Sequence, residues 1–84
     1  MNPLKLYGLK DCPQCKRMEK LIKTAKKDFL ELDMSDPKNL TDLRCLGIFY
    51  KQAPILLISE NPLRYLEAGH ISASSDQTII DIIR

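Results

Sequence analysis

Between Leu4 and Met34 the spacing of apolar residues changes from two to about 3.6 and back to two, which constrains the fold more than any other feature of the chain. Leu4 to Gly8 ("LKLYG") alternates apolar and polar residues and predicts a short strand. Pro13 then opens a helical pattern, with Met18, Leu21, Ile22 and Ala25 at i, i+3, i+4 and i+7 and basic residues on the other faces. Asp28 to Met34 ("DFLELDM") alternates through Phe29, Leu30 and Leu32 and predicts a second strand. A strand–helix–strand unit of this kind closes as a parallel pair with a right-handed crossover.

The remainder extends that unit. "SDP" is a helix-start signal in which Ser35 or Asp36 caps and Pro37 takes the first helical position. Leu40, Leu43 and Leu46 form its apolar stripe, and Gly47 is the stop. Pro54 introduces "PILLIS", a third strand with its proline at the tolerated end. Asn61-Pro62 is a turn, "LRYLEAG" reads as a fourth strand, and the two strands predict an antiparallel hairpin. "SSDQTIIDIIR" predicts a final helix, with Ser74 and Gln77 at capping-box spacing and Ile79, Ile80, Ile82 and Ile83 on its buried face. The expected architecture is α/β, a mixed four-stranded sheet flanked by three helices in the order βαβαββα. With 84 residues and no repeat or linker, residues 1–84 are expected to form a single domain with a modest core.

The formal net charge of +2 implies no partner by itself, and three cysteines fit poorly with a secreted disulfide framework, which uses an even number. "MNPLKLYGLK" lacks the apolar run of a signal peptide, and "APILLIS" is far shorter than the about 20 residues needed to cross a bilayer. A cytoplasmic, membrane-free protein is the expectation. The first helix carries Lys16, Arg17, Lys20, Lys23, Lys26 and Lys27, without interleaved aromatics and with Asp28, Glu31 and Asp33 close behind. That pattern reads as a solvated face, or a docking surface for an acidic protein, rather than a nucleic-acid site.

Cys12 and Cys15 ("CPQC") stand between the first strand and the first helix. Orphan N–H groups and the positive end of the helix dipole lie there, and Lys10, Lys16 and Arg17 add charge, so a thiolate is favoured over a thiol. Pro13 holds the first turn in helical shape without wasting a donor. Cys15 shares the core-facing stripe with Met18, Ile22 and Ala25, so it is expected to be sheltered, while Cys12 lies at the cap and meets solvent. That arrangement suits a dithiol oxidoreductase in which Cys12 attacks and Cys15 resolves. The alternatives are a zinc or iron–sulfur binding module and two core thiols that are neighbours by coincidence. Zinc needs four ligands, and only Cys45 and His70 remain, each distant in sequence. Cys45 reads as a semi-buried small residue of the second helix and His70 as a solvated residue in a turn.

The "CPQC" pair after a strand, the element order and the proline opening the third strand ("QAPILLI") together resemble a glutaredoxin, over nearly the whole chain. The resemblance implies a thioredoxin-like fold and reduction of protein disulfides or glutathione mixed disulfides, with Cys12 as nucleophile and Cys15 as resolving thiol. It implies that Pro54 is a cis-proline and that the Ala53 backbone pairs with the substrate segment. Lys10, Pro13, Gln14 and Asp76 are the further substrate-binding residues it implies, with glutathione as co-substrate and no metal. Gln14 stands where the usual aromatic would be, which is similar to the "CVQC" of NrdH-type redoxins that donate electrons to ribonucleotide reductase. The stretch "GHISASSD" has Ser72 and Ala73 at the positions of a glycine pair, whose side chains would crowd glutathione. The implied partners of a monomer are therefore a disulfide-containing protein, ribonucleotide reductase included, and a thioredoxin reductase-like donor in preference to glutathione. Tyr7 reads either as a core residue or as lining the peptide groove, and Tyr50 and Lys51 are expected to border that groove.

Overall fold

The structure, a computed structural model, describes residues 4–48, 52–60 and 62–84. The period changes read from the sequence become β1 (Leu4–Gly8), α1 (Pro13–Thr24) and β2 (Phe29–Asp33). They are followed by α2 (Pro37–Cys45), β3 (Ile55–Glu60), β4 (Leu63–Leu66), α3 (Ala68–Ala73) and α4 (Asp76–Ile83). The strands form one mixed sheet in the order β2-β1-β3-β4. β1 and β2 are parallel, in register from Leu4 opposite Phe29 to Gly8 opposite Asp33. β3 runs antiparallel to β1, with Tyr7 opposite Ile55, and β4 antiparallel to β3. Tyr50 and Lys51, expected beside the groove, and Asn61 of the expected turn lie outside the described residues.

Strand alternation divides the core into two layers. Leu4 and Leu6 of β1 and Leu56 of β3 join Met18, Leu21 and Ile22 of α1, Ile71 of α3 and Ile79, Ile80 and Ile83 of α4 on one face. Tyr7, Ile55 and Leu57 point the other way and meet Met34, Leu43 and Ile48. Both faces of β1 and β3 are therefore covered, and their side chains are largely excluded from water. Tyr7 is only 1% exposed and belongs to the second layer; burial raises its phenol pKa above the ordinary value, partly offset by the nearby Lys5 ammonium.

Helix ends follow local chemistry. The Asp36 carboxylate accepts from the Lys38 N–H at 3.0 Å and Pro37 opens α2, as the sequence predicts. Gly47, at φ 84°, closes α2 in the left-handed region. The Gly47 N–H then reaches the Arg44 carbonyl at 2.9 Å and the Ile48 N–H the Leu43 carbonyl at 3.0 Å, completing a Schellman motif. α1 ends the same way, with Lys26 N–H to the Lys23 carbonyl at 3.0 Å and Lys27 N–H to the Ile22 carbonyl at 3.2 Å. There the left-handed position is held by Lys26, at φ 57°.

The chain differs from the expected order at its C-terminal third. Four helices, not three, accompany the sheet among the described residues. β4 stops at Leu66, and Ala68–Ala73, expected as the end of a strand and a loop, is the short helix α3. Its sequence, "AGHISA", has a poor helix propensity and no side-chain cap at its N-terminus, so it leans on the tertiary burial of Ile71 and on distant hydrogen bonds. His70 accordingly lies exposed on this helix rather than in a turn. Ser75, not Ser74, caps α4 by accepting from the Thr78 N–H at 3.2 Å. Ser74 Oγ instead donates to the His70 carbonyl at 2.7 Å, and Gln77 turns forward to Asp81 at 2.9 Å. Cys45, at the last turn of α2, is exposed and free, because the stripe that reaches the core is Leu40, Leu43 and Leu46.

Candidate functional site

β1 is hydrogen-bonded on both sides, and the chain leaves its end at Gly8 to enter α1 through Leu9–Cys12. Asp11 takes a left-handed φ of 57° there, a conformation that aspartate adopts more readily than most residues. The turn delivers Cys12 to the N-cap of α1 in an extended conformation, with Pro13 as the first helical residue.

Cys12 and Cys15 are joined by a disulfide, with Cα atoms 5.2 Å apart. The Cys15 N–H donates to Cys12 Sγ at 3.1 Å, so the sulfur occupies the place of an ordinary capping oxygen. The burial of the two is unequal. Cys15 is 6% exposed, whereas Cys12 is only half-buried. Cys15 packs directly over Gly8: a Cβ at that glycine would come within 3.1 Å of Cys15 Sγ. The close approach makes a side chain at residue 8 a tight fit against Cys15, a constraint not apparent from the sequence.

The Ala53–Pro54 peptide bond is cis, as the resemblance implies, and Pro54 is buried while Ala53 is half-buried against the second core layer. Because Tyr7 pairs with Ile55 in the antiparallel β1–β3 ladder, Pro54 stands at the same end of the sheet as Gly8 and the disulfide loop. On the other side of β1 an open cleft of about 400 Å³ reaches Cys15. Gly8, Leu9, Lys10 and Lys16 line it together with the carboxylates of Asp11, Glu19, Glu31 and Asp33, a wall of mixed charge. Asp33 is held below the usual carboxylate range by hydrogen bonds from the Ser35 N–H (2.8 Å) and Oγ–H (2.7 Å).

The other expected site residues divide. Lys10 is exposed on the loop before Cys12, and Pro13 is exposed at the helix start. Gln14 and Asp76 are both engaged by a residue that the sequence showed as part of a basic face and as a charge near the cysteines, not as their partner. Arg17 donates from Nη1 to Gln14 Oε1 at 3.1 Å and to the Ile71 carbonyl at 2.9 Å. Its Nη2 reaches the Ser74 carbonyl and its Nε the Asp76 carboxylate, each at 2.7 Å. Arg17 thus ties α1 to the α3–α4 corner. Its partners at residues 71–76 lie more than fifty positions away, so no local spacing pointed to it. Among the described residues no group of three or more His, Cys, Asp or Glu side chains is placed to hold a metal ion, and no helix is long and apolar enough to cross a membrane.

No protein-family model, curated protein or solved structure matches this chain. The geometry described above is therefore the basis for assigning a function.

Proposed function

We propose that the protein is a dithiol–disulfide oxidoreductase of the glutaredoxin type, with a thioredoxin-like arrangement of its sheet and helices. The observation that carries the reading is the unequal pair: a disulfide joins a half-buried Cys12 at a helix N-cap to a buried Cys15. In the reduced protein the Cys12 thiolate attacks a substrate disulfide, and one substrate sulfur leaves as a thiolate, forming a mixed disulfide. Cys15 then attacks Cys12 Sγ and the second substrate sulfur leaves. Two electrons reach the substrate and the Cys12–Cys15 disulfide remains. A dithiol donor returns the pair to the reduced state.

The Cys15 N–H that caps Cys12 Sγ at 3.1 Å supports the nucleophile assignment, because it stabilises a thiolate better than a thiol. The cis Ala53–Pro54 bond at the same end of the sheet is compatible with Ala53 presenting its backbone to a substrate segment, with Lys10, Pro13 and Gln14 around the sulfur. A protein disulfide is the proposed substrate, ribonucleotide reductase among the candidates, and a thioredoxin reductase-like enzyme is the proposed donor in preference to glutathione. Asp76 is already paired with Arg17 through Oδ1, which supports that preference, since the guanidinium competes with a small peptide's amine for the carboxylate. The reducing cytoplasm suits this chemistry.

Serine replacements test the reading. Cys15→Ser, offered a disulfide-bonded protein, should accumulate a mixed disulfide at Cys12, and Cys12→Ser should turn nothing over. Trapping at position 15 or 45, or turnover by Cys12→Ser, refutes the assignment.

A further inference from the structure

We propose that Arg17 is a positioning residue for Cys12, acting through Gln14 to hold the first turn of α1 in the shape that stabilises the thiolate. This inference rests on the dithiol reading above. Arg17 has five N–H groups, and four hydrogen bonds are made from its three nitrogens. Three of them go to the α3–α4 corner: the Ile71 and Ser74 carbonyls at the end of α3 and the Asp76 carboxylate in the first turn of α4. The corner anchors the guanidinium, whose side chain is only 25% exposed. The fourth bond runs from this fixed point to Gln14 Oε1 at 3.1 Å.

Gln14 stands between the two cysteines, one residue before the Cys15 N–H that donates to Cys12 Sγ. The first turn of a helix frays because its N–H groups lack intrahelical partners. A thiolate at the cap draws on those donors only while the turn is held. Cys15, Met18 and Ile22 bury the core side of α1, but Pro13 is exposed and Gln14 only half-buried, so packing restrains only one side of this turn. The Arg17–Gln14 bond supplies the missing restraint and connects it to residues near the C-terminus. A lysine in place of arginine would keep the charge but has no planar fork with which to hold corner and amide together.

The test follows alkylation of Cys12 by iodoacetamide in the fully reduced protein between pH 4 and pH 10. Peptide mapping separates Cys12 from the exposed Cys45. Arg17→Ala and Gln14→Ala should each slow the reaction at pH 6 by about three- to tenfold and move its midpoint upward. Arg17→Lys should behave like Arg17→Ala, and the Gln14→Ala, Arg17→Ala pair should be no slower than the slower single variant. Gln14→Ala leaves the corner bonds intact, so it keeps the test available should Arg17→Ala unfold. A profile unchanged in Gln14→Ala overturns the inference, as does a wild-type rate in Arg17→Lys or an additive double variant. If wild-type Cys12 itself titrates like an ordinary thiol near 8.5 and turns over no disulfide, the dithiol reading fails and this inference falls with it. An acidic wild-type profile that none of the variants moves refutes this inference alone.

Discussion

Gly8→Ala adds a single methyl group directly beneath the disulfide. The new Cβ would lie 3.1 Å from Cys15 Sγ and 3.4 Å from Cys15 Cβ. The second is an ordinary contact; the first must open by about 0.5 Å to reach a normal non-bonded distance. β1 cannot yield easily, since it is paired on both sides, through Gly8 opposite Asp33 and Tyr7 opposite Ile55. Cys15 must move instead, and the disulfide and the buried stripe through Met18 and Ile22 hold it in place. Overpacking of this size costs about 1–3 kcal/mol. The loss of glycine's freedom in the unfolded chain offsets about 0.4–1 kcal/mol. The oxidised variant should therefore be about 1–2 kcal/mol less stable, lowering its melting temperature by about 5–15 °C. Reduction frees the Cys15 sulfur to rotate away, so the reduced variant should lose less. The difference appears in the equilibrium with dithiothreitol, shifted toward the dithiol by about tenfold for each 1.4 kcal/mol. Melting of both redox forms and one redox titration make the measurement. An oxidised variant as stable as wild type, or equal losses in both forms, refutes the packing of Cys15 on Gly8.

Lys26→Gly should stabilise the protein by about 1 kcal/mol in urea unfolding, because residue 26 holds the left-handed position of a Schellman motif that glycine fills without a Cβ clash. Ile71→Ala removes the one fully buried side chain of α3 and should cost about 3 kcal/mol, or roughly 15 °C in melting temperature. Asp33 is held below the usual carboxylate range in the folded state, so its contribution is present above the unfolded pKa, about 3.9, and disappears as pH falls through the lower folded value. Urea midpoints of wild type and Asp33→Asn should accordingly differ at pH 6 and converge toward pH 2; a gap independent of pH would show that the Ser35 hydrogen bonds do not act through the charge.

The first half of the chain was legible because its information is local. The change of apolar period across Leu4–Met34, proline at the first position of α1 and α2, and Gly47 at a helix end each report on their own neighbours, and each element lies where they place it. The unequal burial of Cys12 and Cys15 was legible for the same reason, since one helical stripe determines it. The C-terminal third was misread because α3 has little local support: a glycine, a histidine and two serines surround Ile71 in "AGHISAS". What makes it helical is the buried Ile71 and the Arg17 bonds to the Ile71 and Ser74 carbonyls, partners at least 54 residues apart. The tight fit at Gly8 was invisible for a related reason, because its cause is a sulfur seven positions away across a turn.

The two sulfurs are restrained unequally. Cys15 is held by the most constrained parts of the molecule, the doubly paired end of β1 beneath it and the stripe of α1 behind it. Cys12 is held by its disulfide partner and by one N–H from the same helix turn. On the dithiol reading, breaking the disulfide removes the first restraint and leaves the second, and that N–H is a better donor to the newly formed thiolate than to a neutral sulfur. The scaffold can then remain still through the cycle while only the cap sulfur and its proton change. A resolving thiol that must strike the same atom each time belongs on the rigid side of such a pair, and a nucleophile that must meet many geometries of disulfide belongs at the exposed cap. On that reading the buried stripe of α1 decides which sulfur is sheltered, and Gly8 beneath Cys15 and Arg17 against Gln14 hold that arrangement, so the proposed chemistry of "CPQC" draws on residues outside its own four.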